Sequence, residues 1–335
     1  MKITLLTKPF SSVDRLMKET ERLFNYYKYK LSGNRYRAWT CTFKEGGHQD
    51  VTTAIIKGAS YFREVELFVN PSRREALGSV VYVPSGWRAL RDAIDLKRAG
   101  LIPYLIAGPT VCDLPHMHGY ILADQAIDCC LVASEWVKEL FIAETRDISN
   151  MNICIWAAGI DTDYWRPLED KPHNFRSFTH VLIYIKKSGV KMLAAVSDLM
   201  SSAGIKYRLL YNEAHTPEDY KTELEMADCV VVLGESETQG LAIAQAWAMD
   251  IPTFVYDSDV ISEYHRNFIS KTKVKASCAP YLCCETGRFW RNIDDLKECL
   301  TCAGIYYPRR WVLANQTYKI AFAKFLEIGG IKNIK

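Results

Sequence analysis

Short runs of consecutive apolar residues recur along the chain, and segments with a helical spacing of apolar positions lie between them. A strand that is apolar on both sides has both faces covered, which is typical of parallel sheets flanked by helices. The alternation of strands with helices therefore predicts an α/β fold of doubly wound parallel sheets with right-handed crossovers. The runs that we interpret as strands cover residues 2–6, 38–43, 65–69, 80–83, 102–107, 127–133, 180–185, 207–211, 229–233 and 252–256.

The segment Val230–Pro252 has the most informative pattern. An apolar run ends in the polar turn 234–239, and a helix rich in small residues follows from Gly240. In open α/β sheets ligands bind at the carboxyl ends of strands, and the N–H groups and dipole of a helix start suit a phosphate. Because Glu237 can also accept hydrogen bonds from hydroxyls, the turn predicts a nucleotide-sugar site. The alternative is an ordinary turn whose glutamates are solvated caps.

The same segment resembles the acidic motif of retaining GT-B glycosyltransferases, especially those of glycosyltransferase family 4. The matching positions are Glu237, the pair Gly240-Leu241, and Pro252. Two positions depart from the family pattern: Gln245 stands where a second glutamate is usual, and Asp250 where a glycine is usual. A glutamine keeps a hydrogen-bond acceptor and adds a donor, but it cannot make the stronger charge-assisted bond of a carboxylate.

Three other segments resemble the family in the matching order. They are Ser134-Glu-Trp-Val-Lys138, the element with Gly159, Asp161, Trp165 and Pro167, and the basic pair Lys186-Lys187. The resemblance covers roughly residues 120–260. It implies a GT-B fold of two Rossmann-like domains with an interdomain cleft. We expect an acceptor-binding domain over 1–170, a nucleotide-sugar-binding domain over 171–305, and a C-terminal helix over 306–335 that packs back on the first domain.

The resemblance also implies roles for individual residues. The donor-binding candidates are Lys186, Lys187, Glu235, Glu237, Thr238, Gln239, Gly240, Leu241 and Gln245, the candidates for catalysis are Glu237, Lys187, His116 and His118, and Thr110 is a candidate for the acceptor side. Two further acceptor-side candidates come from the residues themselves: Lys8 supplies a charge in a first turn that lacks the family's glycines, and His48 follows the glycine pair of a tight turn. The alternative interpretation of the lysine pair is a solvated surface pair, and that of each histidine is an incidental polar loop residue. The family chemistry implies no metal, and no cofactor besides the nucleotide-diphosphate sugar that serves as donor substrate.

The composition limits the class of protein. With 335 residues, 49% hydrophobic and 24% charged, the chain has the composition of a soluble globular protein large enough for two domains. No apolar run has the length of a membrane span, and the first residues do not resemble a signal peptide. We therefore expect a cytoplasmic protein, with peripheral contact at a membrane surface left open. Eleven cysteines indicate reduced structural thiols, although Cys299 and Cys302 have the spacing of a zinc-ligand pair.

Charge is distributed unevenly along the chain. The net charge is +3, but residues 1–110 contain 8 Lys and 10 Arg against 10 acidic residues, a net charge of +8. Residues 26–39 mix cations with tyrosines and a tryptophan. Such a mixture either contacts phosphates and stacks on bases or sugars, or is simply a solvated helix end and loop. We expect a negatively charged partner to be met by the first domain.

The acceptor follows less directly from the sequence. We expect a glycan or a lipid-linked sugar, which the family usually glycosylates. The basic first domain leaves a hydroxylated base of viral DNA as an alternative, because a positively charged face supplies salt-sensitive affinity for nucleic acid. The departures at Gln245 and Asp250 leave a further alternative, a nucleotide-sugar-binding protein that has lost turnover. No pattern indicates an oligomeric state.

Overall fold

A computed structural model describes most of the chain. The described residues are 1–10, 12–33, 37–38, 41, 47–72, 77–145, 151–168, 174–175, 178–186, 189–212, 214–258, 274–301, 304–328 and 331. Within these ranges, the side chains of residues 12–15, 17–18, 48 and 174–175 are not described.

The chain divides into two compact units. The first contains Met1–Lys28, Thr40–Gly159 and Tyr318–Lys335, and the second contains Tyr29–Trp39 and Ile160–Thr317. Each unit has a parallel sheet, and most of the described strands agree closely with the predicted apolar runs. The strand predicted over 38–43 is not among them, because Ala38 is helical and Cys41 lies in a turn, while residues 39, 40, 42 and 43 lie outside the described residues. In chain order they are β1 Lys2–Leu5, β2 Glu66–Val69, β3 Val80–Ser85, β4 Tyr104–Thr110, β5 Cys129–Val132, β6 Ile153–Ile155, β7 Asn174–Phe175, β8 His180–Ile185, β9 Lys206–Tyr211, β10 Cys229–Leu233, β11 Thr253–Tyr256, β12 Gly287–Trp290 and β13 Gly304–Ile305.

The two sheets share one topology. The first unit has the strand order β2-β1-β3-β4-β5-β6, and the second has β12-β11-β10-β8-β9. All their strand pairs are parallel. In each sheet the second strand along the chain lies on one side of the first, and the third lies on the other side. The order therefore reverses between β1 and β3 and between β8 and β10, and these are the positions where doubly wound sheets bind ligands.

Helices connect the strands, as the parallel order requires. Helix Pro217–Met226 shows how the sequence starts a helix, because Pro217 fits the first turn. The hydroxyl oxygen of Thr216 accepts from the N–H of Asp219 at 3.2 Å, and the Asp219 carboxylate accepts from the N–H of Thr216 at 2.9 Å, which forms a capping box. The other described α-helices are Ser12–Leu31, Gly47–Ala59, Trp87–Arg98, Glu135–Glu144, Val190–Ser202, Leu241–Ala248, Ile293–Thr301, Pro308–Asn315 and Tyr318–Ile328, and short 3₁₀ helices cover Met117–Gly119 and Ile121–Ala123.

Residues 306–335, which we expected to form one C-terminal helix, contain the two helices Pro308–Asn315 and Tyr318–Ile328. The break lies at Gln316, whose φ of −142° and ψ of 25° leave the helical region and whose carbonyl accepts from the N–H of Ile160 at 2.8 Å. The earlier helix belongs to the second unit and the later helix to the first. Helix Tyr318–Ile328 packs on helix Gly47–Ala59, and Gly58 lacks the Cβ that would lie 2.6 Å from Phe322 Cβ.

Each sheet carries its own apolar core. In the first unit the rings of Tyr82, Trp156 and Phe325 pack edge-on or tilted against one another, with centroids 4.8 to 6.4 Å apart, and the indole N–H of Trp156 donates to the carbonyl of Ala321 at 2.8 Å. In the second unit the buried Trp247 packs on Trp311 and donates to Thr253 Oγ1 at 3.0 Å. The tryptophan N–H groups are thus satisfied inside both cores.

Candidate functional site

The polar turn 234–239 after β10 lies where the strand order of the second sheet reverses. Ile185 at the end of β8 is in register with Leu233 at the end of β10, so the residues that follow the two strands emerge side by side. Lys186 follows β8 and the turn 234–239 follows β10. The topology therefore brings the predicted basic and acidic residues to one edge of the sheet, at its switch point.

Lys186 and Glu237 are in direct contact at this edge. The backbone N–H of Lys186 donates to the carbonyl of Leu233 at 2.8 Å, which continues the pairing of the two strands. Its ammonium group donates to the carbonyl of Ser236 at 3.1 Å and to the carboxylate of Glu237. Both side chains are only partly exposed, at 17% and 30%. An ion pair with this exposure keeps one side open to a ligand while the protein holds both charges in place.

Two glycines allow this close approach. A Cβ on Gly234 would lie 2.9 Å from both the Sγ of Cys278 and the Cδ of Lys186, so a side chain there would displace the lysine. A Cβ on Gly189 would lie 2.2 Å from the carbonyl oxygen of Leu233. Gly189 precedes helix Val190–Ser202, and its missing side chain lets that helix start directly against the end of β10.

The second helix at this edge is Leu241–Ala248. Gly240 precedes it with φ 77° and ψ 45°, a left-handed conformation that glycine adopts without steric cost. The N–H groups of the first turn of a helix have no partner within the helix and carry a positive dipole end. Because helix Val190–Ser202 starts beside the same strand end, two helix N-termini are available at one edge of the sheet.

A loop that sequence reasoning missed supports the acidic turn. The N–H of Glu237 donates to the carbonyl of Ser277 at 2.9 Å, and the Sγ of Cys278 lies beneath Gly234. Burial raises the pKa of the Cys278 thiol to about 12, so the thiol is protonated and packs as a small apolar group. The sequence signal for this loop is weak, because Ser277 and Cys278 contact the turn through backbone and packing rather than through a motif.

The remaining donor-side candidates differ in burial. Glu235 and Gln239 are buried, at 7% and 6% exposure, and Thr238, Leu241 and Gln245 are half-buried. Gln245 lies one turn into helix Leu241–Ala248, on the helix that starts at Gly240. Lys187 lies outside the described residues. The structure therefore groups all the other donor-side candidates at one sheet edge through β8, β10 and the helix that follows β10.

Asp250, the second departure from the family motif, has a clear structural setting. Its φ is 61°, in the left-handed region where glycine is favoured and where aspartate is one of the better-tolerated residues. Its carboxylate accepts from the backbone N–H of Arg309 at 3.0 Å, and the Arg309 guanidinium donates to the carbonyls of Ala248, Trp165 and Thr162. Asp250 thus joins the end of the motif helix to helix Pro308–Asn315.

A polar and aromatic cluster lies beside the switch point, and the sequence analysis did not single it out. The hydroxyl of Tyr184 on β8 donates to the side-chain carbonyl of Asn212, which follows β9. The ring of His215 packs against Tyr184 and Tyr220 with centroids 5.7 and 5.4 Å apart. Burial lowers the pKa of His215, so its imidazole is neutral near pH 7. The polar residues after an apolar run were the only sequence signal for this cluster.

The first sheet also carries candidate residues at its carboxyl edge. The loop after β1 lacks glycine and is held instead by Asn70, whose side-chain oxygen accepts from the N–H groups of Thr7 and Lys8 at 2.8 and 3.1 Å. Lys8 is exposed, with its ammonium 3.7 Å from the Glu19 carboxylate. The hydroxyl of Thr110 donates to the carbonyl of Pro84 at 2.8 Å, which links the ends of β3 and β4.

The two histidines of the 116–118 segment face different surroundings. The imidazole of His118 stacks on the indole of Trp87, with centroids 4.7 Å apart and planes 16° apart. The guanidinium groups of Arg88 and Arg91 lie 5.0 and 5.4 Å from the centroid of the same indole. His116 instead has its Nδ1 3.8 Å from the carboxylate of Glu144. His118 therefore belongs to an aromatic and cationic platform after β3, and His116 belongs to the end of helix Glu135–Glu144.

His48 lies in helix Gly47–Ala59, and its side chain is outside the described residues. Among the residues that are described, no group of three or more His, Cys, Asp and Glu side chains is placed to hold a metal ion. Cys299 is buried in the second unit's core, while Cys302 lies outside the described residues.

Among the described helices, none has both the length and the apolar character needed to span a bilayer.

Comparison with solved structures identifies the fold. A lipopolysaccharide outer core galactosyltransferase, WaaB in its apo form, aligns with 99% of this chain and 100% of its own, at 12% identity and a TM-score of 0.56. A sucrose-phosphate synthase from Thermosynechococcus elongatus aligns at 10% identity over 99% of both chains, with a TM-score of 0.48. A UDP-GlcNAc 2-epimerase from Methanocaldococcus jannaschii aligns at 8% identity over 98% of this chain and 99% of its own, with a TM-score of 0.48.

No protein-family model and no curated protein sequence matches the chain. The likeness to the galactosyltransferase structure and the two parallel-sheet units confirm the predicted GT-B fold. At 12% identity the likeness defines the fold, and the function has to be argued from the site.

Proposed function

We propose that the protein is a glycosyltransferase that moves a sugar from a nucleotide-diphosphate sugar to an acceptor hydroxyl. The observation that carries this proposal is the contact between Lys186 and Glu237 at the switch point of the second sheet. A cation that neutralises a diphosphate and a carboxylate that accepts hydrogen bonds from sugar hydroxyls are thereby placed side by side. In a nucleotide-diphosphate sugar the diphosphate is bonded directly to the sugar, so a cation beside a carboxylate matches the groups of this donor.

The donor diphosphate would bind to the positive end of this arrangement. Lys186 supplies a full charge, and helices Val190–Ser202 and Leu241–Ala248 each start at the same strand ends with their N–H groups. As the bond between the anomeric carbon and the diphosphate oxygen breaks, negative charge builds on that oxygen. Groups that are already oriented stabilise this charge without rearranging, which is the main source of catalysis in such a site.

The donor sugar would lie against Glu237. The Glu237 backbone is fixed through its N–H to Ser277, and its carboxylate is oriented by Lys186. A carboxylate can accept several hydrogen bonds, so Glu237 would also accept from sugar hydroxyls, and Gln245 would contact the ribose. The acceptor oxygen forms the new bond to the anomeric carbon as the bond to the diphosphate oxygen breaks, and the acceptor's proton passes to the departing diphosphate. In this proposal the transfer retains the anomeric configuration and needs no metal, since Lys186 and the helix termini supply the positive charge.

The acceptor would bind to the first unit. His118 stacks on the half-buried indole of Trp87, and the guanidinium groups of Arg88 and Arg91 lie against the same indole. These groups favour a glycan or lipid-linked sugar with anionic substituents. Guanidinium groups bind such anions through charge-assisted hydrogen bonds, and these two lie at the carboxyl edge of the first sheet.

The test begins with a panel of UDP-, GDP- and dTDP-sugars. We expect the protein to bind one nucleotide class and to hydrolyse its sugar slowly without an acceptor, releasing the nucleoside diphosphate and the free sugar. Glu237→Ala should abolish hydrolysis. The control is Glu298→Ala, which removes an exposed glutamate paired with Arg288 and should leave hydrolysis intact. Analysis of the products distinguishes hydrolysis of the donor from epimerisation, because an epimerase would change the configuration of a sugar ring.

Binding of a nucleotide without hydrolysis of any donor would contradict the enzymatic proposal and favour a binding protein. Hydrolysis that Glu237→Ala leaves intact would contradict the assigned site.

A further inference from the structure

The sheet of the second unit ends on one side in strand β9, and this edge is open. In the part of the chain that the structure describes, β9 pairs only with β8. Its six residues make it longer than the other edge strands of the two sheets, β2, β6 and β12, which have four, three and four residues. An unpaired edge offers its N–H and C=O groups to any strand that can lie along it.

The pairing with β8 decides which backbone groups of β9 point outward. The N–H of Lys206 donates to the carbonyl of Thr179 at 3.0 Å, and that of Asn212 donates to the carbonyl of Ile185 at 2.9 Å. Successive residues of a strand direct their backbone groups to opposite sides, so the even-numbered residues face β8 and the odd-numbered residues face the open edge. These outward-facing residues are Tyr207, Leu209 and Tyr211.

The features that normally protect an edge strand are weak in β9. Such protection comes from a bulge, a proline, a short length or a charged side chain. The register of β9 is continuous, and the strand contains neither proline nor glycine. Lys206 stands at its start, and the central cation Arg208 is paired with Glu223 of the adjacent helix, 2.5 Å from Nε to the carboxylate. The middle of the edge therefore carries no charge without a partner.

One face of this edge exposes apolar and aromatic side chains. Leu209 is 42% exposed and Tyr211 44%, and the two lie on the same face because they are two residues apart. Tyr207 lies on that face as well and is half-buried against the core of the second unit. A strand that pairs with β9 would cover these side chains and satisfy the outward backbone groups at the same time.

The side chains of β9 are complementary to a second β9 that runs antiparallel, with Leu209 opposite Leu209. In this register Tyr207 lies opposite Tyr211 of the second copy, and Arg208 lies opposite Leu210. The exposed face then contains only apolar and aromatic pairs, and no cation faces a cation. A register centred on Arg208 would instead set two guanidinium groups opposite each other, and like charges directly opposite destabilise a pair of strands.

The backbone groups fit the same register. Two opposed residues of antiparallel strands exchange hydrogen bonds when both direct their N–H and C=O groups toward each other, as Leu209 with Leu209 and Tyr207 with Tyr211 would do. Of these groups, the carbonyl of Tyr211 already accepts from the N–H of Ala214 at 2.9 Å. A register centred on Leu210 would place Tyr207 opposite position 213, which lies beyond the end of β9.

We propose that the protein forms a symmetric dimer through β9, in which the five-stranded sheets of two copies join into one continuous sheet. A two-fold axis at Leu209 gives both copies the same contacts, as in the commonest class of homo-oligomer. A strand of another protein can also bind an open edge. The second copy is favoured because it matches both the outward backbone groups and the exposed side chains. The inference is independent of sugar transfer, since β9 carries none of the residues assigned to the donor site.

The first measurement is the mass of the full-length protein by gel filtration with light scattering at several concentrations. We expect twice the 38.3 kDa of one chain, with dissociation on dilution. Leu209→Lys places two ammonium groups opposite each other, so it should raise the dissociation constant at least about tenfold. The control Leu313→Lys changes a leucine of the same unit that is 45% exposed, and it should leave the dissociation constant within about twofold.

A mixture of two variants shows that any loss of the dimer is not a loss of the fold. Leu209→Glu should weaken the dimer as Leu209→Lys does. An equimolar mixture of the two variants should dimerise again, because opposite charges then face each other across the two-fold axis. Both variants must be folded for the mixture to recover.

Cross-linking tests the register. Leu209→Cys places two thiols on Cα atoms about 5.5 Å apart, which suits a disulfide, so oxidation with diamide should link two chains. Tyr211→Cys is the matched control, on the same face and equally exposed, and its two copies would lie four residues apart along the strands, too far to link. Wild-type protein treated in the same way measures the background from the native cysteines.

Three results would overturn the proposal. One is the mass of a single chain at the highest attainable concentration, which would leave the edge to a strand of another protein or to none. Another is a dimer that Leu209→Lys leaves unchanged, which would place the interface elsewhere. The third is cross-linking of Tyr211→Cys as complete as that of Leu209→Cys, which would contradict the register.

Discussion

The ammonium group of Lys186 contacts the carboxylate of Glu237 across the carboxyl ends of two neighbouring strands, although fifty positions of chain lie between the two residues. Opposite charges this close hold each other in position before any ligand binds. A diphosphate that binds to Lys186 competes with Glu237 for the lysine's donors. Donor binding and the orientation of the carboxylate are therefore coupled.

Lys186→Ala should weaken the binding of the nucleoside diphosphate by about tenfold or more, because a charge-assisted contact to phosphate is worth about 1.5–3 kcal/mol. Titration calorimetry with the nucleotide identified by the donor panel measures this. Lys206→Ala, at the amino end of the same sheet, is the control and should bind normally. Unchanged affinity in Lys186→Ala would place the diphosphate elsewhere.

Gln245→Glu should preserve or raise transfer, because it restores the second acid of the family motif and with it a stronger acceptor for ribose hydroxyls. The measurement compares kcat/KM for donor hydrolysis with that of the wild-type protein. Gln245→Leu, which removes both the donor and the acceptor, should lower it. A folded Gln245→Glu protein with reduced donor affinity would show that the motif is misaligned at this position.

Asp50→Asn should make stability less dependent on pH. Burial raises the pKa of the Asp50 carboxyl, in the first turn of helix Gly47–Ala59, to about 6. Its folded pKa exceeds the unfolded value of about 3.9, so the folded state binds the proton more tightly and loses stability as pH rises from about 4 to about 6.

At pH 7.5 the substitution should therefore raise the free energy of unfolding by about 1–2 kcal/mol, with little change at pH 4. Chemical denaturation at the two pH values measures the difference. A variant that is equally destabilised at both would assign Asp50 a structural hydrogen bond rather than an unfavourable buried charge.

Asp250→Ala should lower the free energy of unfolding by about 1–3 kcal/mol, because alanine tolerates the left-handed backbone less well than aspartate and loses the bond to the N–H of Arg309. Asp250→Asn retains an acceptor and tolerates the same backbone, so it should cost less than half as much. Thermal unfolding of the two variants separates the contribution of the hydrogen-bond acceptor from that of the charge. Equal losses in both variants would mean that the charge, rather than the acceptor, stabilises this position.

The strands could largely be predicted because their apolar runs have a direct physical cause, burial on both faces of a parallel sheet. Strand β12 was missed, since Gly287 opens it and Arg288 and Phe289 are exposed, which leaves no apolar run. The C-terminal helix was predicted without its break at Gln316, because the hydrogen bond that stabilises the break comes from Ile160, far away in sequence.

The candidate site was only partly predictable for the same reason. The helix start at Gly240 and the acidic residue Glu237 follow from local pattern and resemblance. The partner of Glu237 does not, because the pairing of β8 with β10 decides which residue after β8 meets the turn. Ser277 and Cys278 follow from no local pattern, since a loop from outside the motif brings them to it.

The return of the last helix to the first unit has a consequence for synthesis. Ala321 accepts the indole N–H of Trp156, and Phe322 and Phe325 fill the core beside Tyr82, so the first unit lacks part of its interior until residues 318–328 have left the ribosome. The second unit, complete at Thr317, can close earlier. Domains usually fold in the order of their emergence. In this chain the unit that begins first is completed last, because its core includes a helix that is synthesised after the second unit.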